Sequence, residues 1–360
     1  MDTISAYPLD NGGKYGIAFS EVLNRVFHVK QSSPQVRQAY CNGMRILTAL
    51  IAGSLLLAQD QLPSIKVDVD VVSILTSVRD KRGALIPSLQ KEDFTILEDG
   101  KPQPIKYFTK ETDLPLTIGM LVDVSGSQRN LIDIERSAAS QFFREVLRKK
   151  DLAFLIMFGE ETELLQDYTG SPRLLTEGLN HLEVSSGVSG IHPGPVPTMG
   201  GPRGTVLYDA VYLAANEKLK GEVGRKVIVV ITDGVDQGSR MSRNQAIEAA
   251  QKSDCVIYSI DYSDPRAYGP FNMVGGGGEG ELRKMSDETG GRVYKVDRRH
   301  TLDQVFKELQ EEMRSQYSIG YTPTNDVKDG TYRHLEVRLS NKDLKAQARK
   351  GYYAIKPEVR

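Results

Sequence analysis

From Leu114 onward the chain alternates nearly continuous apolar runs with amphipathic stretches. The runs LPLTIGMLVDVS, DLAFLIMFG, KVIVVITDG and CVIYSIDYS have the composition of strands buried on both faces of a parallel sheet. Between them the hydrophobic period changes to that of helices. IDIERSAASQFFREVLRKK sets Ile132, Ala139, Phe142, Phe143 and Val146 near one face and ends in basic residues, which suits a helix C-terminus. Four more segments predict helices: SPRLLTEGLNHLE, with Ser171 as cap and Pro172 in the first turn; GTVLYDAVYLAANEKLK, opening at Thr205; SRNQAIEAAQKSD, capped by Ser242; and GELRKMSDETGG, stopped by glycines. After a short RVYKV strand, TLDQVFKELQEEMRSQ predicts a last helix capped by Thr301. This alternation predicts a doubly wound, mainly parallel α/β domain over 113–313.

The flanks read differently. VDVDVVSILTSVR followed by DKRG is a strand and turn signal, and DFTILEDGKPQPIKYFTK places the tight-turn pair Asp99-Gly100 between two strand-like runs. Residues 64–112 therefore form a β-segment too small to close a sandwich alone. The tail, 314–356, returns to strands in QYSIGYTP, YRHLEVRLS and LKAQARKGYYAI. The economical arrangement is one β-sandwich of immunoglobulin-like kind, built from both flanks, with the α/β domain inserted in it. Two separate small β-units are the alternative.

Composition narrows the partners only a little. With 46 Lys plus Arg against 47 Asp plus Glu, no overall field draws the chain to nucleic acid or acidic membranes. Of the two cysteines, Cys255 opens an apolar run and reads as a small buried hydrophobe; a structural disulfide with Cys41 is not expected. Met44-Arg45 and the run ILTALIAGSLLLA have the outline of a secretory signal at 44–58, with cleavage near Ala58. The run is shorter than the about 20 apolar residues that span a bilayer, so no stable membrane span is expected in the mature chain. Leu56 departs from the preferred small residue, and the leader 1–43 suggests that Met44 is the true start. The expected location is secreted, periplasmic or cell envelope, against a retained anchor or buried helix.

In an open parallel sheet, binding residues gather beyond the carboxyl ends of strands, where the winding reverses. Three loops meet that condition, carrying Asp123, Ser125 and Ser127, then Thr205, then Asp233. All five offer oxygen, three of them as neutral hydroxyls. Such a set suits a hard divalent cation, whereas zinc or copper would favour His or Cys. Mg2+ fits best, with Mn2+ or Ca2+ as alternatives, because it accepts few protein ligands and keeps waters. A water position then stays open to a carboxylate from a partner protein. Each residue also has a plainer reading: Ser125 and Ser127 as turn residues, Thr205 as a helix cap and Asp233 as a loop or cap acid; Asp209, four residues after Thr205, reads as an outer-shell acceptor for the site or, more plainly, as a surface or packing residue. The long loops 184–204 and 263–280 should rise on the same face, with His192, Arg203, Tyr268 and Phe271 as candidate partner contacts. Gly275 to Gly278 read as a hinge, since no phosphate-loop pattern accompanies them.

DVSGS at Asp123 to Ser127, the threonine of PRGTVLYD and ITDG at Asp233 resemble the metal-ion-dependent adhesion site of von Willebrand factor A domains. The flanks EDFTILEDGKP, YSIGYTP and RKGYYA are similar to a bacterial family of exported proteins related to that domain. The resemblance implies that the two serines and Thr205 contact the metal, the aspartates directly or through water, and that the ligand donates an acidic group. The expected function is a metal-dependent adhesion or scaffold module without catalysis. A metal-assisted hydrolase or phosphotransferase is the enzyme alternative, but the five histidines (28, 181, 192, 300, 334) form no obvious motif. An intracellular assembly factor is the third reading.

Overall fold

The structure is a computed structural model and describes residues 71–110, 114–185, 204–263 and 278–355. The predicted signal segment and leader, Cys41, and the loop residues His192, Arg203, Tyr268 and Phe271 lie outside the described residues.

The apolar runs form a six-stranded sheet from β5 (Leu116–Asp123), β6 (Leu152–Phe158), β7 (Thr162–Thr169), β8 (Arg225–Thr232), β9 (Cys255–Asp261) and β10 (Val293–Lys295), in the order β10-β9-β8-β5-β6-β7. All neighbours are parallel except β7, which runs antiparallel to β6 at one edge. Every residue of β5, β8 and β9 is buried, which explains why these strands read as continuous apolar runs without alternation.

Side chains nevertheless alternate between two cores. Ile118, Met120 and Val122, with Val227, Val229 and Ile231, pack with helices α1 (Ile132–Val146), α2 (Pro172–Leu179) and α6 (Leu302–Arg314). Leu121, Ile228 and Val230 pack on the other face with α3 (Leu207–Leu213), α4 (Arg243–Lys252) and α5 (Gly278–Thr289). Gly119 leaves room on that second face: a Cβ there would lie 2.3 Å from the Phe154 ring.

The flanking strands form two four-stranded sheets, each built from both ends of the chain. β1 (Val72–Arg79) and β4 (Ile105–Lys110) join β11 (Tyr317–Tyr321) and β13 (Lys345–Ala348) in the order β13-β1-β11-β4. β2 (Phe94–Glu98) and β3 (Lys101–Gln103) join β12 (Tyr332–Leu339) and β14 (Gly351–Tyr353) in the order β14-β12-β2-β3. Ile74, Val78, Tyr317 and Ile319 from the first sheet meet Phe94, Ile96 and Leu335 from the second in one core, making a β-sandwich. The Asp99-Gly100 turn forms as expected, with φ of 48° and 78°. Two details differ from the sequence reading. The run after that turn divides at Pro104, which has no N–H to donate, and β4 crosses to the other sheet. LKAQARKGYYAI likewise makes two strands in different sheets, parted where Lys350 N–H donates to the Glu288 carbonyl of α5.

The sandwich is fastened to the α/β domain by Glu312 of α6, which is fully buried. Its carboxylate accepts from Ser77 Oγ (2.9 Å) and Arg79 Nη2 (2.6 Å) of β1 and from Tyr294 Oη (2.7 Å) of β10.

Candidate metal centre

The chain leaves β5 for β6 on one side and later returns to lay β8 on the other, so the winding reverses between β5 and β8. A crevice at the carboxyl ends of these two strands is where such sheets bind. Asp123 is the last residue of β5, and Asp233 follows the last residue of β8.

Asp123 is fully buried and held from two sides. Its Oδ1 accepts from the Ser125 N–H (2.8 Å) and its Oδ2 from Thr232 Oγ1 (2.5 Å). Ser125 opens a 3-10 turn over Gly126–Gln128, yet its hydroxyl makes no cap bond to that turn. It lies 3.0 Å from Ser127 Oγ, which in turn donates to Asp233 Oδ2 at 2.7 Å. Two hydroxyls from the loop after β5 and a carboxylate from the loop after β8 thus form an unbroken chain of oxygen contacts. Gly234 turns the chain behind Asp233 at φ +80°, and a Cβ there would meet the Gly278 carbonyl at 2.5 Å. Only glycine allows α5 to begin so close to the site.

Thr205 is positioned through its backbone. Its carbonyl accepts from the N–H groups of Gln237 and Gly238, both at 3.0 Å, which straps it to the stretch after Asp233. This strap delays the helix: α3 begins at Leu207 with Val206 at the cap position, so the expectation that Thr205 opens it is corrected by two residues. The helix also ends in a π-helical turn, Ala214–Leu219, which its period did not foretell. Asp209 is occupied elsewhere, accepting from the N–H groups of Arg240 (3.0 Å) and Met241 (2.7 Å), so it fixes the 239–241 loop.

Burial pushes the Asp123 carboxyl up to about 6, partly offset by its bonds to Thr232 and Ser125, and the nearby Asp233 charge adds to the rise. One residue of this neighbourhood was missed in the sequence: Glu135 on α1, fully buried, with neither carboxylate oxygen hydrogen-bonded among the described residues. Its signal was a charge on the helix stripe, three residues after Ile132 and four before Ala139.

The donor set fits a hard cation. Asp123, Ser125, Ser127 and Asp233 all present oxygen, and the contacts among the last three show that these oxygens converge. Among the described residues no group of three or more His, Cys, Asp or Glu is placed to hold a metal ion. Cys255 stands apart from it, buried at the start of β9 with its thiol pushed up to about 12 by burial.

The α/β domain is a doubly wound, mainly parallel sheet with helices on both faces. No protein-family model matches the sequence. Solved structures similar to it include BatB of Bacteroides thetaiotaomicron, a conserved hypothetical protein, at 18% identity over 55% of this chain and 97% of that one, with a TM-score of 0.41. Proximal thread matrix protein 1 of the mussel byssus, with a zinc-occupied MIDAS motif, is similar at 12% identity over 57% of this chain and 50% of its own, with a TM-score of 0.40. The VWA domain of SpRpn10 is similar at 13% identity over 54% and 95%, with a TM-score of 0.36.

Proposed function

We propose that this chain binds a divalent cation, Mg2+ in the first place, at Asp123, Ser125, Ser127, Thr205 and Asp233, and uses it to grip a carboxylate of a partner protein. The observation that carries this reading is the contact chain Ser125 Oγ, Ser127 Oγ, Asp233 Oδ2 at the winding reversal, beside a buried Asp123. When bound, the cation would supply a Lewis-acidic position for an anionic group. The protein supplies the rest: two carboxylates leave such an ion electron-poor, and neutral hydroxyls fix its place without quenching its charge. Mg2+ suits so small a set because it retains waters, one of which a partner can displace.

A binding role is the reading preferred here, and two of the three described histidines, His300 and His334, are already engaged by neighbours. His300 is engaged by Glu308 (2.9 Å) and the Lys295 carbonyl (3.0 Å), and the His334 ring stacks edge-on against Tyr332. We place the protein outside the cytoplasm on the strength of the segment 44–58. Among the described residues no helix is long and apolar enough to cross a membrane.

The test is capture from native envelope extract on the immobilised chain, with Mg2+ or with chelator. A protein retained only with Mg2+, and lost on Asp123→Ala with the fold intact, is the expected result. The same retained proteins under chelator, and on the variant, would refute the proposal.

A further inference from the structure

We infer that Glu135 is a positioning carboxylate of the cation site, whose negative charge strengthens cation binding at the expense of the metal-free protein's stability. This rests on the cation reading above and extends it to a residue that does not belong to the three-part motif.

The placement is unusual for a charge. α1 buries Ile132, Glu135, Ala138, Ala139, Ser140, Phe142, Phe143 and Val146, so Glu135 is the one charged side chain on the face turned to the sheet. A carboxylate enclosed there loses its hydration, and an unpaired buried charge is costly. Most buried polar groups recover part of that cost through hydrogen bonds. Both oxygens of Glu135 are without one among the described residues, and so is Oε1 of Gln128, which is fully buried in the turn between Ser127 and α1. An apolar side chain of similar size would pack there without this penalty.

The charge that Glu135 senses is that of the site. Its carboxyl is held well above the ordinary range, first by burial and then by Asp123. Three buried acceptor atoms thus lack a hydrogen bond among the described residues: one on Gln128, next in the chain to Ser127, and two on Glu135 in the first turn of the helix that follows, within electrostatic reach of the buried Asp123. A divalent ion held by Asp123 supplies positive charge there. Groups hydrogen-bonded to metal ligands typically change affinity by about 10- to 100-fold, and a buried charge close to Asp123 acts on the same ion through a poorly screening interior. A residue kept for this purpose should weaken the protein when the metal is absent, which a packing residue would not do.

The experiment compares wild type, Glu135→Gln and Glu135→Asp in the full chain. Mn2+ affinity is measured by electron paramagnetic resonance, and thermal stability in the presence of chelator. Glu135→Gln should bind Mn2+ about tenfold or more weakly while its metal-free form melts at a higher temperature, and Glu135→Asp, which keeps the charge, should recover part of the affinity. Mn2+ binding within twofold of wild type in Glu135→Gln would overturn the inference and leave the cation reading standing. Loss of affinity together with loss of metal-free stability would also overturn it, since that is the signature of packing. If wild type itself takes up no Mn2+, both readings fail together.

Discussion

Asp123 and Glu135 are two fully buried acids with different surroundings. Asp123 is satisfied by Thr232 and the Ser125 N–H, whereas Glu135 is not satisfied among the described residues. Thr232→Val removes the hydroxyl that fixes Asp123 Oδ2 and that also accepts from the Gly234 N–H. It should destabilise the protein by about 1–3 kcal/mol in a denaturant titration and weaken Mn2+ binding as well. The raised Glu135 carboxyl sets a pH trend. The folded protein keeps a proton that the unfolded chain releases, so this group's contribution is complete below its unfolded value and is lost as pH rises toward its folded value. The stability of wild type relative to Glu135→Gln, measured with chelator, should therefore fall from about pH 4.5 upward. An increase over that range would contradict the assignment. Asp123, Ser125, Ser127 and Asp233 were legible in the sequence as a candidate site, because hydroxyl and acid groups gather at the ends of buried strands. Glu135 was not, because one acid in an amphipathic helix reads as solvated until the stripe is laid against the sheet.

Among the elements, two helix starts were readable from their caps and a third only in part. Ser242 and Thr301 each form a capping box, the first with Gln245 and the second with Gln304. Ser171 stands at the cap position of α2 without a side-chain cap bond. Ser242→Ala and Thr301→Ala should each cost about 1 kcal/mol in equilibrium unfolding and leave Mn2+ affinity unchanged. Ser171→Ala should be close to neutral, and a cost equal to the others would show that its hydroxyl does cap the helix. The α3 start was misread for a physical reason. A threonine before an apolar run resembles a cap, but the bonds from Gln237 and Gly238 to its carbonyl hold Thr205 outside the helix. Such a strap joins residues far apart in sequence and leaves no local pattern.

For the whole molecule, the period-two pattern of β12 and the completely buried runs of β5, β8 and β9 made the sandwich and the α/β layers legible. What fastens them was hidden, because Ser77, Arg79, Tyr294 and Glu312 come from distant segments and look like ordinary surface residues in sequence. Arg79→Ala leaves Glu312, with no exposed side-chain surface, short of its closest cation. It should destabilise the protein by about 3–5 kcal/mol, and the loss should be read by hydrogen exchange at β1 and α6 together. Protection retained in both would mean that the sandwich does not depend on this pair. Function at this scale reduces to whether the crevice between β5 and β8 holds a metal. The most direct measurement is anomalous scattering from a crystal of the full chain grown with Mn2+. A peak among Ser125 Oγ, Ser127 Oγ and Asp233 Oδ2 is the expected result; Mn2+ ordered elsewhere in the molecule, with none at these oxygens, would contradict the proposed site.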